Sequence, residues 1–173
     1  MRDNYILTAE SVTEGHPDKL CDTIADAILD ACLTGDPDSR VACEVLATAG
    51  KITVAGEITT KSMPDIPHIV CKSVRQIGYS GNYEVEVDIH DQSPDIAYAV
   101  DNGNEITAGD QGIVYGYACR ETKELLPLPV VLVHRITKGL TEARRNGVIP
   151  GLRPDGKAQV SVEYEHGKPI RVH

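Results

Sequence analysis

Between residues 5 and 89 the apolar side chains keep changing period, and this alternation constrains the fold more than any other feature of the chain. Tyr5, Ile6 and Leu7 open a short strand over residues 5–9. Cys21, Ile24, Ala25, Ile28, Ala31 and Cys32 then recur at helical spacing, with Asp22, Asp26 and Asp30 on the opposite side. Gly35-Asp36-Pro37 stops that helix. Residues 40–48 and 51–60 are β-branched-rich runs flanking Ala49-Gly50, a hairpin signal. Ile66, Ile69, Val70, Val74 and Ile77 mark a second helix that stops near Gly78, and residues 83–89 alternate as a half-buried strand.

The order so far is β-α-β-β-α-β. A polar loop follows from His90 to about Gly112, long enough to suggest a functional lid. The order then restarts. Residues 113–118 predict a strand, Val133, Ile136, Leu140 and Ala143 a helix, and residues 157–164 and 168–172 a hairpin around His166-Gly167. The expected fold is α+β: repeated β-α-β-β-α-β units, each a sheet with helices on one face, the second unit incomplete. The expected domains are residues 1–100, reaching into the loop, and 101–173.

The chain contains no Phe and no Trp, so its core must rest on Ile, Val, Leu and Ala. A net charge of -9 argues against a bare nucleic-acid or anionic-membrane surface, yet it allows polyphosphate if metal ions mediate. No apolar run approaches the ~20 residues of a bilayer span. The N-terminus lacks the basic-then-apolar pattern of a signal peptide. Five cysteines are scattered singly, which reads as small buried hydrophobes in a reducing, cytoplasmic setting.

The chemistry concentrates in polar segments. Residues 10–19, ESVTEGHPDK, put an imidazole, a carboxylate and an ammonium around Pro17 at a helix start. Such a start offers free N–H groups to an anion, and Asp18 could hold a divalent cation. Glu44 and Glu57 lie inside apolar strands, where a carboxylate either meets a cation or donors or faces solvent at an alternate position. Asp91-Gln92-Ser93-Pro94-Asp95-Ile96 and Ala108-Gly109-Asp110-Gln111-Gly112 read as ligand-approaching loops or as ordinary turn chemistry. Asp155 and Lys157 could bind metal and phosphate together, or form a turn with solvated charges. His134 reads as structural. No phosphate-loop signature and no nucleophile setting is present.

Taken together the segments resemble the S-adenosylmethionine synthetase (methionine adenosyltransferase) family. The matching segments are ESVTEGHPDK at 10–19, RVACE at 40–44, AGEITT at 55–60, QSPDI at 92–96, AGDQGIVYGYA at 108–118 and RRNGVIPGLRPDGKAQV at 144–160. They run in order along essentially the whole chain. The resemblance implies a transferase in which methionine sulfur attacks C5′ of ATP, expels triphosphate and then sees it cleaved to phosphate and diphosphate.

By motif, the resemblance implies that His16 contacts the triphosphate, Asp18 ligates Mg²⁺, Lys157 neutralises phosphate charge and Asp155 sits by the nucleotide. It implies further that Glu44 helps hold K⁺, that Glu57 and Gln92 grip methionine, and that Asp110 binds adenosine. Residues from about Ser93 to Thr107, with Pro94, Asp95, Tyr98 and Asp101, would form a gating loop. A homodimer or homotetramer is expected, with sites between antiparallel subunits.

Two departures stand out. Tyr98-Ala99-Val100 replaces the family's usual Gln-Gly-Val. Family members also run longer, adding an aspartate, an Arg/Lys cluster and a Gly-rich segment that face the phosphates. The chain thus looks like a truncated member, with a second chain supplying the rest as one expected partner. The alternative functions are a non-catalytic partner of a full-length synthetase and a metal-dependent triphosphate hydrolase.

Overall fold

The computed structural model describes residues 4–93, 101–102, 105–106 and 112–173. They form two compact units that do not follow the order of the chain. One takes the chain up to Lys19 and again from Tyr115 to His173; the other takes Leu20–Val114.

The second of these is built on a three-stranded sheet. Strands β2 (Arg40–Thr48) and β3 (Lys51–Thr59) form an antiparallel hairpin, closed by Ala49 and Gly50, with Gly50 at φ 77°. β4 (Glu84–His90) lies parallel to β3, reached through helix α2 (Ile66–Ile77). Helix α1 (Pro17–Gly35) buries Leu20, Ile24, Ile28 and Cys32, a strict four-residue stripe. α2 begins at Asp65, whose side chain accepts from His68 N, and ends at Gly78 in the left-handed region. These helix stripes meet Ile52, Val54 and Ile58 of β3 in one aliphatic core, with Val41, Cys43 and Val45 of β2 packed against it. The other side of the sheet is open: Ala42, Glu44, Leu46 and Thr48 of β2 are exposed.

Gly56 is obligatory in this sheet, because at φ 141° an added Cβ would lie 2.1 Å from the Ala42 carbonyl oxygen. Asp36, buried after α1, accepts hydrogen bonds from Asp38 N at 3.2 Å and Lys61 N at 2.9 Å. The turn after α1 is thereby tied to the segment leading into α2.

The other unit holds β1 (Asn4–Val12), β7 (Lys157–Glu165) and β8 (Lys168–Val172), in the order β1-β7-β8 and antiparallel throughout. Helix α3 (Leu128–Arg145) covers the face formed by Ala9, Ala158, Val160, Val162 and Tyr164. The rings of Tyr5 and Tyr164 stack, with centroids 4.9 Å apart. Tyr164 donates to Glu121 Oε2 at 2.6 Å, and the same oxygen accepts the Leu128 N–H at the start of α3. Burial, then the Glu121 carboxylate, push the Tyr164 phenol well above its ordinary range. β5 (Asp101–Asn102) and β6 (Glu105–Ile106) pair with each other.

Three expectations change. β1 does not pair within the sheet of its sequence neighbours: it zips along β7 over its full nine residues, Asn4 opposite Glu165 and Val12 opposite Lys157. Residues 113–118 form no strand; Ile113 and Val114 are 80% and 95% exposed, with no strand neighbour among the described residues to take their backbone groups. The buried residues of α3 are Pro129, Val131, Val133 and Thr137, and Ile136 turns outward. Thr137 can be buried because its hydroxyl bonds Val133 O and Ser11 Oγ.

Candidate active site

The nine-residue ladder between β1 and β7 does not end where the strands do. Thr13 N donates to Gly156 O at 2.8 Å, Gly15 N to Pro154 O at 3.1 Å, and Thr13 Oγ1 to Pro154 O at 2.6 Å. Two polar segments 141 residues apart in the chain are therefore laced together. The approach is close enough to demand glycine, since a Cβ on Gly15 would sit 2.5 Å from two Pro154 carbons. One side of the lacing carries His16 and Asp18, and the other Asp155 and Lys157.

His16 follows directly, with its N–H on Thr13 O at 3.1 Å. Its Nδ1 accepts the Asp18 N–H at 3.3 Å. In a neutral ring that use of the Nδ1 lone pair leaves the proton to Nε2. Asp18 stands in the first turn of α1 with its side chain 92% exposed and Nδ1 of His16 3.9 Å away. Lys157 is half-exposed and pairs with Glu10 at 2.6 Å, a diagonal partner across the β1–β7 ladder. Such an exposed pair contributes only ~0–1 kcal/mol, so an incoming anion can displace Glu10. Asp155 is exposed beside buried Pro154.

Glu14 went unnoticed in the sequence. It reaches the end of α3, where Arg144 and Arg145 both bind its carboxylate; Arg145 Nε lies at 3.1 Å. Burial pulls the Glu14 carboxyl upward, but hydrogen bonds and charge from Arg145 and Arg144 win and hold it below its ordinary value. The signal was available: an acid immediately before Gly15-His16, and an arginine pair in the last turn of a helix.

A second group lies in the other unit. Glu57 is opposite Ala42 on one side and His90 on the other, while Glu44 is opposite Ala55. The two glutamates are thus diagonal neighbours on the open face. Gln92 continues beyond β4, its N–H on Thr59 Oγ1 at 3.2 Å, at the Glu57 end of that face. Its Oε1 is buried without a hydrogen-bond donor among the described residues, an arrangement that a ligand N–H would relieve.

Ser93 is half-buried just after Gln92. Pro94, Asp95, Tyr98 and Asp110 lie outside the described residues, and Asp101 is described only as backbone in β5. Among the described residues no group of three or more His, Cys, Asp or Glu could hold a metal ion. Mg²⁺, which is content with one carboxylate plus phosphate oxygens and water, fits exposed Asp18 on those terms. His134 is engaged with Ser11 Oγ at 3.3 Å, and Cys32 is buried in the aliphatic core.

Comparison with known proteins gives a consistent result. The family described as the S-adenosylmethionine synthetase N-terminal domain matches residues 4–102, and the central domain of the same family matches residues 105–173. The S-adenosylmethionine synthase of Sulfurovum sp. is 52% identical over 99% of this chain and 47% of its own length. Those of Parasynechococcus marenigrum and Nocardia farcinica are each 49% identical, over 97% and 96% of this chain and 44% and 46% of theirs. The chain spans about half the length of the curated relatives it matches. No helix among the described residues is long and apolar enough to cross a membrane.

Proposed function

Because the chain belongs to the S-adenosylmethionine synthetase family, we propose that it handles ATP and L-methionine in methionine adenosyl transfer. The observation that supports this best is the lacing of Thr13 and Gly15 to Pro154 and Gly156, which gathers His16, Asp18, Asp155 and Lys157 at one end of a sheet. The sulfur of methionine is nucleophilic without a base. The difficulty of the reaction is the leaving triphosphate, so the useful groups are those that meet its growing charge.

In this reading His16 Nε2–H donates to a phosphate oxygen next to C5′. Lys157 leaves Glu10 for the phosphates, and Asp155 lies by the nucleotide. Asp18 with phosphate oxygens would hold Mg²⁺, which supplies positive charge against the leaving group. Glu57 and Gln92 Oε1 take the ammonium of methionine, a cation that answers both the diagonal carboxylates and the orphaned acceptor. Glu44, on the same face, is the proposed K⁺ contact, though one exposed carboxylate makes no cage and no step is assigned to that ion. Asp110 on adenosine, a gating role for residues from Ser93 to Thr107, and a homodimer or homotetramer complete the proposal.

Calorimetric titration of the chain with Mg²⁺ and inorganic tripolyphosphate tests the phosphate side. Binding should require Mg²⁺, lose that requirement in Asp18→Asn, and weaken about tenfold in Lys157→Ala, one charge-assisted contact being worth ~1.5–3 kcal/mol. Binding indifferent to both substitutions would sink the proposal. Release of phosphate from tripolyphosphate without methionine would point instead to a hydrolase.

A further inference from the structure

The segment RVACE makes up the first half of β2, and of its polar residues only Glu44 has a task so far. Arg40 is the other. Val41, Cys43 and Val45 pack on the aliphatic core, while Ala42, Glu44, Leu46 and Thr48 are exposed on the open face. Two-residue alternation therefore sets Arg40 on the open face as well. Unlike the residues that follow it on that face of β2, Arg40 is half-buried. The register puts it opposite Thr59 and diagonal to Glu57. Gln92 reaches the same Thr59 from the far side of β3, its N–H on Thr59 Oγ1 at 3.2 Å. Arg40, Glu57 and Gln92 are thus grouped around one threonine at the end of the sheet.

A methionine ammonium on Glu57 and Gln92 brings a second charge with it. The carboxylate of the amino acid hangs on the same carbon and must enter the same corner. Glu44, Glu57, Glu84, Glu86 and Asp88 all fall on this face by register, so a carboxylate without a counter-charge is repelled there. Lys51 is too far: it lies at the opposite end of β3 from Glu57, roughly 20 Å away at ~3.3 Å per residue. It is also held by Glu86 at 2.8 Å and Glu84 at 3.7 Å. His90 has its Nε2 on Asp88 Oδ1 at 2.9 Å. Lys61, past the end of β3, puts its charge on Asp36. Among the described residues of this corner that leaves Arg40, whose planar fork matches a carboxylate with two parallel N–H groups.

We propose that Arg40 is a specificity-determining residue: its guanidinium takes the carboxylate of the amino acid whose ammonium lies on Glu57 and Gln92. The site then selects an α-amino acid over an amine with the same side chain. The inference rests on the reading of Glu57 and Gln92 as the methionine side. It adds the counter-charge that a zwitterion needs on so acidic a face, and it gives the first residue of β2 a role at the site.

Calorimetry with two probes decides it: L-methionine, and methylthiopropylamine, which is methionine without its carboxylate. The parent chain should bind L-methionine at least about tenfold more tightly than the amine, the worth of one charge-assisted contact. Arg40→Ala and Arg40→Gln should both remove that preference and leave the affinity for the amine unchanged. Arg40→Lys, which keeps the charge without the fork, should retain part of it. A merely structural role for Arg40 would weaken both probes alike, so the ratio of the two affinities separates the two roles.

A parent that binds both probes equally overturns the proposal without any variant, which covers the case in which Arg40→Ala fails to fold. Equal losses for both probes in folded Arg40→Gln overturn it too. If L-methionine keeps its preference in Arg40→Gln, only the assignment of Arg40 falls and the methionine side stands. If the parent binds neither probe, the methionine side of the proposed function fails and Arg40 falls with it.

Discussion

Gly15→Ala tests the lacing directly. The added Cβ meets the Pro154 carbonyl carbon and Cβ at 2.5 Å and the carbonyl oxygen at 2.7 Å. Backbone and a proline ring cannot rotate aside, so one of two costs must be met. Forcing the methyl in costs about 1–3 kcal/mol, as for other overpacked sites. Letting the strands part loses the bonds from Gly15 N and Thr13 Oγ1 to Pro154 O, at ~1 kcal/mol each.

The two routes together span roughly 1–3 kcal/mol, or a fall of about 2–12 °C in Tm for a chain of this size. Urea unfolding followed by the near-ultraviolet signal of the stacked Tyr5 and Tyr164 reports on this sheet. The midpoint should fall without a change in slope. Gly139→Ala is the counter-test: exposed in α3, with nothing within 4 Å of the new methyl, it should gain roughly 0.5–1 kcal/mol. The reasoning is refuted if Gly15→Ala stays within about 0.5 kcal/mol of the parent and the amides of Thr13 and residue 15 remain protected from exchange.

Other predictions concern the supports. The Asp36 carboxyl is held below its ordinary value by the Lys61 N–H and then by the Asp38 N–H. Its folded pKa is thus under its unfolded one, and its stabilisation is present above about pH 4 and lost as pH falls through the depressed value. The stability gap between the parent and Asp36→Asn, measured in urea from pH 7 downward, should therefore close in acid; a constant gap would refute this. Tyr164→Phe leaves Glu121 Oε2 with the Leu128 N–H alone and should cost about 1–2 kcal/mol, whereas no loss in urea would show that bond to be idle. Gln92→Leu should abolish any heat of L-methionine binding, and unchanged binding would remove Gln92 from the site.

α2 was legible almost to the residue, because a clean helical stripe from Ile66 to Ile77 runs up to Gly78. Both hairpins were legible from Ala49-Gly50 and His166-Gly167, whose geometry only turns tolerate. The partner of β1 was not. Alternation tells which side chains face a core but not which strand lies alongside, and a nine-residue ladder to β7 leaves no local trace. The Ile113–Ala118 run misled for a related reason: apolar composition suits a strand only where a neighbour exists. In α3 the apolar pattern pointed to Ile136, but Thr137 won the inward position by satisfying its hydroxyl. At the site, the titratable residues were visible one by one; the Glu14 clamp was not, because its arginines stand 130 and 131 residues away.

The partnership of β1 with β7 also has a consequence in time. On a ribosome adding ~5–20 residues per second, β1 emerges roughly ten to thirty seconds before β7. Residues 20–114 can close their aliphatic core in that interval. The first strand meanwhile waits with its backbone unpaired, and the bonds that fix Thr13 and Gly15 do not exist until Pro154 and Gly156 arrive. His16 is among the earliest residues made, yet its surroundings are among the last to form. A chain released early would display the His16 motif in full and still lack the support that orients it.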